Sequence, residues 1–197
     1  MTLRSKIVRG SLWVIAFRWI ARFLGLINVA IIARILEPED FGLVAMAMLV
    51  MGFVEIWLAF GLENACVQRK ELHRAHLDTA WSMRLVQGLA VTLLVMAAAP
   101  LAARYFGDPR LTPLMLVLAG GILLGSAANI GVVLYRREMD FQSEFRLQLG
   151  ARLVGFVCGL AAAVWLRNYW ALAIGILSGI AATTVLSYLM HPFRPRW

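Results

Sequence analysis

The chain has 197 residues, of which 61% are hydrophobic and 15% are charged, and its mean hydropathy is +0.77. The apolar residues form blocks of about 20 with short basic clusters between them, a distribution that excludes an ordinary soluble domain and indicates a multi-pass membrane protein. The net charge of +8 therefore indicates orientation in a membrane rather than nucleic-acid binding, because Lys and Arg lie mostly between the apolar blocks.

Six apolar blocks predict an all-α integral membrane bundle of about six transmembrane helices, which forms a single domain over residues 1–197. Each crossing needs about 20 apolar residues, so six crossings with short loops use the whole chain and leave no room for a soluble enzymatic domain. The candidate spans are residues 11–35, 41–62, 79–102, 111–135, 145–166 and 169–190. Pro38, Pro109, Pro192 and Pro195 mark several of the boundaries.

Basic residues on alternate sides of these spans predict the topology. Ten lie on one side, namely Arg4, Lys6, Arg9, Arg69, Lys70, Arg74, Arg136, Arg137, Arg194 and Arg196. Four lie on the other side, namely Arg34, Arg104, Arg110 and Arg167. Because cytoplasmic loops carry the excess of Lys and Arg, both termini are predicted to be cytoplasmic.

Paired glycines predict close packing between helices in the second half of the chain. The pairs, each with a spacing of four residues, are Gly121 with Gly125, Gly155 with Gly159, and Gly175 with Gly179. Small residues at this spacing allow two helix backbones to approach closely in a membrane.

Two arginines within the first span are candidate functional residues. Arg18 and Arg22 lie one turn apart on one helix face, and Arg22 lies about 16 Å from the start of the span, too deep for easy snorkelling. A charge near the bilayer centre costs about 2.5–3.5 kcal/mol on insertion scales. Such a residue is therefore expected to face a protein interior or a wet cavity.

Further charged and amide residues lie within the later spans. Glu55 is in the second span and Arg84 in the third, while Gln148 and Arg152 share one face of the fifth. Arg146 points to the opposite face and lies near enough to the membrane edge to reach lipid headgroups. With the predicted topology, the functional charges lie in the inner half of the membrane, where a polar cavity open to the cytoplasm would satisfy them together.

Two interpretations of these charges remain open. In one, Glu55 pairs with an arginine and only fixes helix positions. In the other, Arg18, Arg22, Arg84 and Arg152 bind an anionic substrate group such as a diphosphate or an acidic sugar, and Glu55 and Gln148 tune the cavity or couple an ion. One acid cannot neutralise four arginines, which favours the second interpretation. Arginine also suits a multidentate hold on phosphate oxygens better than lysine does.

The sequence contains none of the common catalytic or metal-binding patterns. It has no phosphate loop, no H-E-x-x-H, no cysteine-rich metal spacing and no nucleophile elbow. His73 and His76 are three residues apart in a predicted loop, but a stable metal site would need further ligands, so they are interpreted as surface residues. The sequence thus predicts no enzymatic activity, no metal and no cofactor.

Several segments resemble the polysaccharide transporters, the oligosaccharide flippase branch of the multidrug/oligosaccharidyl-lipid/polysaccharide exporter superfamily. Residues 33–42, A-R-I-L-E-P-E-D-F-G, are similar to that branch's A-R-x-L-x-P-E-D-F-G signature after the first helix. Residues 60–62 with 67–69, residues 136–141 and residues 193–196 resemble family segments in the same order. The chain ends where the first of a family member's two helical lobes would end.

The resemblance implies a function for the complete transporter. Such a flippase would move a polyprenyl-diphosphate-linked oligosaccharide across the cell inner membrane by alternating access between two lobes, for surface polysaccharide synthesis. This chain would supply the N-terminal lobe, and its partner would be a second lobe or another copy of itself. The alternatives are a truncated structural or assembly membrane protein without transport activity and a membrane-bound glycosyl or phosphate transferase.

The charge asymmetry makes the topology testable with single engineered cysteines and a membrane-impermeant thiol reagent on intact cells. A cysteine at Glu39 is expected to be labelled, whereas one at Arg74 is expected to stay unlabelled until the cells are permeabilised. Labelling at Arg74 without labelling at Glu39 would reverse the predicted orientation.

Overall fold

The computed structural model describes residues 19–20, 22–57 and 73–196, and the regular elements in these ranges are all helical. In chain order they are α1 (Arg22–Ile32), α2 (Pro38–Trp57), α3 (Arg74–Phe106), α4 (Leu111–Ser126), a 3₁₀ turn (Ile130–Val132), α5 (Val133–Arg137), α6 (Phe141–Leu166) and α7 (Trp170–Met190). The predicted all-α class is confirmed for this part of the chain.

Three of these helices are long and apolar enough to cross a membrane. They are α3 with 33 residues, α6 with 26 and α7 with 21, and α4 together with its continuation through α5 makes a fourth candidate. At 1.5 Å per residue even α7 is about 32 Å long, which matches a hydrocarbon core of about 30 Å. The chain is therefore a membrane protein, while six spans and cytoplasmic termini stay predictions.

Short connections make successive long helices antiparallel, so the bundle has two distinct ends. At one end, Arg74 at the start of α3 donates a hydrogen bond of 3.0 Å to the carbonyl of Arg194, which follows α7. We call it the basic end. At the opposite end, Asp40 in the first turn of α2 accepts a hydrogen bond of 3.1 Å from the backbone N–H of Tyr169, just before α7.

The main apolar core lies toward the opposite end. It joins α2, α3, α4 and α7 through buried side chains that include Leu43, Val95, Leu114 and Met115. A smaller core at the basic end groups Leu77 and Ala80 with residues of the 3₁₀ turn and α5. A space remains between the helices that these cores join.

Backbone contact between α6 and α7 confirms the close packing that the glycine spacing predicts. A Cβ atom added at Gly155 would lie 2.9 Å from the carbonyl oxygen of Gly175, and one added at Gly159 would lie 3.1 Å from the Cα of Gly175. Gly121 of α4 likewise has Leu177 of α7 at 2.6 Å from the position of an added Cβ. Between α6 and α7 glycine is needed because a side chain would push the two backbones apart.

The fourth predicted span is not one continuous helix. It turns by 65° between α4 and the segment Ile130–Arg137. Asn129 stops the α-helix: its backbone is extended, with φ −63° and ψ 117°, and its side-chain oxygen accepts a hydrogen bond from the N–H of Gly131. An asparagine that caps the next turn in this way competes with helix continuation, which apolar periodicity alone does not reveal.

Residues 191–196 cross the basic end and pack against this break. The buried Asn129 amide donates hydrogen bonds of 2.7 Å to the Phe193 carbonyl and 3.3 Å to the Ser187 carbonyl. The backbone N–H of Arg196 donates to Asp78 of α3 at 2.9 Å. The tail thereby ties α3, the break and the end of α7 together.

The glycine contact between α6 and α7 predicts a large effect for a single methyl group. In Gly175→Ala the new Cβ would lie 3.1 Å from the Gly159 Cα and 3.3 Å from the Gly155 carbonyl oxygen, and backbone atoms cannot rotate away. We expect the free energy of unfolding in mixed detergent micelles to fall by about 1–3 kcal/mol. Gly120→Ala is the control, since no atom lies within 4 Å of its added Cβ. Equal stability of the two variants would contradict the packing.

His191 predicts how the tail contact depends on pH. Burial lowers the pKa of His191, while Glu138 opposes and Arg194 adds to this shift. Its Nδ1 atom accepts the Phe193 N–H at 3.1 Å, which requires the neutral ring. Because the folded state binds the proton less readily than the unfolded state, stability should be complete above pH 6.5 and fall as the pH drops below it.

The measurement is thermal unfolding of the wild type and His191→Gln between pH 5 and 8 in detergent. The wild type should lose stability toward low pH more steeply than His191→Gln, and His73→Gln, which changes an exposed residue, should follow the wild type. If the melting temperatures of the wild type and His191→Gln changed in parallel with pH, His191 would not be the cause of the pH dependence.

Candidate functional site

A cavity of about 1300 Å³ lies between the helices, and each of α1 to α7 contributes to its wall. It exceeds the roughly 300–1000 Å³ of a pocket for a drug-sized ligand. The charged residues that line it are Glu55, Arg84, Arg136, Glu144 and Arg152. All five lie in the half of the bundle nearest the basic end.

The wall changes character along the bundle axis. Gln87, Tyr135 and Gln148 lie among the charged residues, whereas toward the opposite end the wall is mainly apolar and includes Ile32, Phe41, Val44, Leu172 and Ile176. Such a cavity suits an amphipathic ligand whose charged part points to the basic end.

One face of α6 supplies the polar side of the cavity. Glu144, Gln148 and Arg152 follow one another at four-residue steps, which places them above each other on the helix. Glu144 Oε1 accepts a hydrogen bond of 2.9 Å from Gln148 Nε2 and an ion-pair contact of 2.6 Å from Arg136 Nε on α5. Glu144 is thus held in a hydrogen-bonded network near the basic end. Arg152, which is exposed, lies one turn beyond Gln148.

Arg84 reaches from α3 to the break in the fourth span. Its Nε donates to the Ser126 carbonyl at 3.1 Å, and its Nη2 donates to the carbonyls of Gly125 at 2.8 Å and Ala128 at 3.2 Å. These oxygens lie at the C-terminus of α4, where backbone carbonyls lack helical partners and carry partial negative charge. Arg84 lines the cavity and also caps this helix end.

The structure brings together most of the residues that the sequence singles out. Arg84, Glu55, Gln148 and Arg152 all line the cavity. Arg22 is exposed and is not among the described lining residues, although Leu24, Gly25 and Asn28 of the same helix are. Arg18 lies outside the described residues. The roles of these residues stay predictions, namely substrate binding for the four arginines and cavity tuning or ion coupling for Glu55 and Gln148.

Tyr135 and Arg136 are lining residues that the span pattern does not place in the cavity. The sequence assigns Arg136 to a basic loop and Tyr135 to the last residue of a straight span. The 65° turn after α4 instead brings α5 against α6, where Arg136 meets Glu144. Asn129 behind the small residues 125–128 is the signal that could have revealed the turn.

His73 and His76 are engaged at the start of α3. The backbone N–H of His73 donates to His76 Nδ1 at 3.1 Å, which caps the helix. Within the described ranges, no group of three or more His, Cys, Asp or Glu residues is placed to hold a metal ion.

Comparison with known proteins identifies related sequences. Residues 31–197 match a family model described as polysaccharide biosynthesis protein. The lipopolysaccharide biosynthesis protein WzxC of Escherichia coli (strain K12) is 26% identical over 97% of this chain and 36% of its own length. The succinoglycan biosynthesis transport protein ExoT of Rhizobium meliloti (strain 1021) is 27% identical over 87% of this chain and 35% of its own length.

An uncharacterized membrane protein in the cps region of Klebsiella pneumoniae is 22% identical over 100% of this chain and 41% of its own length. The chain thus spans between about a third and two fifths of the length of these curated relatives. No solved structure matches the chain.

Proposed function

Because this chain belongs to the polysaccharide biosynthesis protein family, we propose that it forms one lobe of a flippase for polyprenyl-diphosphate-linked oligosaccharides in the cytoplasmic membrane. The family match and the two relatives named for polysaccharide synthesis and transport confirm the resemblance seen in the sequence motifs. The proposed substrate, the inner-membrane location and the transport cycle go beyond that match.

The main observation in support of the proposal is that one half of the cavity wall is charged and the other half is mainly apolar. Its charged half is lined, among the described residues, by three arginines and two glutamates, so cationic groups are in excess. An anionic group entering this half would offset that excess and accept charge-assisted hydrogen bonds. The apolar half would accommodate part of a lipid or the apolar faces of sugars.

Arg152 is the residue that we propose contacts the diphosphate directly. It is exposed, lines the cavity, and lies deeper than the pair formed by Arg136 and Glu144. Glu55 and Gln148 would adjust the field around the bound anion. Transport of an intact lipid-linked sugar breaks no covalent bond, so the proposal includes no enzymatic step and no cofactor.

Alternating access needs a second lobe that moves against this one around a shared site. Since the matched relatives are more than twice as long as the matched region, we propose that the second lobe is either a further part of the same transporter or another copy of this chain. The cavity would then be the half-site that this lobe contributes.

The test compares two arginines on the same helix in the transporter that contains this chain. Arg152→Gln should reduce export of surface polysaccharide in a flippase-deficient host at least tenfold, because a hydrogen bond to a charged group contributes about 1.5–3 kcal/mol. Arg146→Gln should have little effect, since Arg146 is exposed and outside the cavity lining. Protein levels in the membrane are measured for both.

Transport is measured directly as movement of a fluorescent lipid-linked oligosaccharide from one leaflet to the other in vesicles that contain the purified transporter. If Arg152→Gln transports and complements as well as Arg146→Gln does, the cavity is not the substrate path, and a structural or assembly role is favoured.

A further inference from the structure

The break in the fourth span creates a specific chemical problem. The last four carbonyls of a helix have no intrahelical partner, and the connecting residues Ala127 and Ala128 add two more. Each unsatisfied backbone group in a membrane interior costs several kcal/mol, so non-helical backbone persists there only where protein or water satisfies it. The partners of these carbonyls therefore decide whether the bend can exist.

The backbone N–H groups of Ala127 and Ala128 reach the carbonyls of Leu123, Leu124 and Gly125 at 3.2 Å, and side chains from neighbouring helices supply further donors. The Thr184 hydroxyl of α7 donates to the Leu124 carbonyl at 3.1 Å, and the Tyr188 hydroxyl donates to the Ala127 carbonyl at 2.8 Å. Arg84 donates to three more, on Gly125, Ser126 and Ala128. One guanidinium group thus reaches three of the six carbonyls.

Half-helix C-termini and unwound carbonyls are the groups that coordinate monovalent cations in other transporters with broken helices. Three carbonyls of the break converge on one guanidinium, and we propose that the Arg84 side chain takes the place of such a bound cation. We call this role the tethered cation. By holding the bend, it positions α5, with Tyr135 and Arg136, at the cavity. In this role Arg84 acts through the bend, not through contact with the transported molecule.

α3 packs closely against the break. Gly88, one turn beyond Arg84, would place an added Cβ 2.3 Å from both the Cβ and the Oγ of Ser126. Only glycine lets α3 come this near, and the short distance brings Arg84 within reach of all three oxygens. The close approach at Gly88 is independent evidence that the contact between α3 and the break is specific, because this approach involves neither charge nor hydrogen bonding.

A lysine would not replace Arg84. The guanidinium is a planar fork of N–H groups, and here Nε and Nη2 reach oxygens of three different residues. An ammonium is a compact, strongly hydrated point charge on a flexible stem, so it would hold fewer of them in fixed geometry. The proposal therefore requires the shape of the group as well as its charge.

The inference does not depend on the identity of the transported molecule. Loss of the cation should relax the 65° turn and move α5 away from α6, which separates Arg136 from Glu144. Because these consequences are structural, they can be measured without a transport assay, and their failure would leave the proposed function standing.

The experiment is chemical rescue of Arg84→Ala in the full chain, purified in detergent. The melting temperature should fall by several degrees, and guanidinium chloride up to about 20 mM, far below the molar range of denaturation, should raise it in a saturable way. Equal concentrations of NaCl should have a much smaller effect. Arg146→Ala, the control, should neither lose stability nor respond to guanidinium.

A second measurement reports the bend itself. Spin labels at the exposed positions Leu116 on α4 and Glu138 after α5, in a chain whose two cysteines are replaced by alanine, give the distance across the break. Arg84→Ala should lengthen and broaden the distance distribution, guanidinium should restore it, and Arg84→Lys should fall between the two. A distribution that Arg84→Ala leaves unchanged, or a change that guanidinium does not reverse, overturns the proposal.

If Arg84→Ala yields no folded protein, a double-mutant cycle decides. Arg84→Lys and Tyr188→Phe each weaken contacts to neighbouring carbonyls of the same break from a different helix, so their effects on the melting temperature should be clearly non-additive. Strictly additive effects would show that Arg84 and Tyr188 do not share one structural unit, and the tethered-cation role would be wrong.

Discussion

The structure depends on one constraint, which is that a backbone carbonyl inside a membrane must find a donor, either in the protein or in a water-filled cavity. A straight helix meets this requirement by itself, but the fourth span does not, since it ends at Ser126 and resumes at Ile130. Besides the local backbone N–H groups, Arg84, Thr184 and Tyr188 provide donors from two other helices. The bend therefore ties α3, α4 and α7 to one another.

The same bend shapes the cavity. By turning α5 toward α6, it places Arg136 against Glu144 at the basic end and lets a residue from a basic loop become part of the wall. Arg84 both holds the bend and lines the cavity, so one charge has a structural and an electrostatic effect. This double effect distinguishes Arg84 from Arg152, which lies on α6.

Close packing of α6 on α7 borders the cavity. The glycines of α6 and α7 bring two backbones into van der Waals contact, and Gly121 brings α4 onto α7. In a membrane such contacts stabilise helix pairs mainly through dispersion, because lipid tails give little hydrophobic driving force for association. Gly155 and Gly159 follow Glu144, Gln148 and Arg152 along α6 and also line the cavity, so the packed glycines form part of its wall.

Apolar block length, charge placement and glycine spacing are local properties, and through them the sequence determined the helical class, the approximate helix positions and the packing of α6 on α7. Four-residue spacing likewise determined that Gln148 and Arg152 share a face, and both line the cavity with Glu55 and Arg84. Only the tertiary structure decided the break after Ser126, the cavity role of Arg136, and the direction of the Arg84 guanidinium. Asn129 marks the break locally, and Arg136 meets Glu144 only eight residues away, but apolar periodicity reveals neither. The direction of the Arg84 guanidinium depends on acceptors some 40 residues away, and no local pattern encodes which carbonyl a distant side chain will reach.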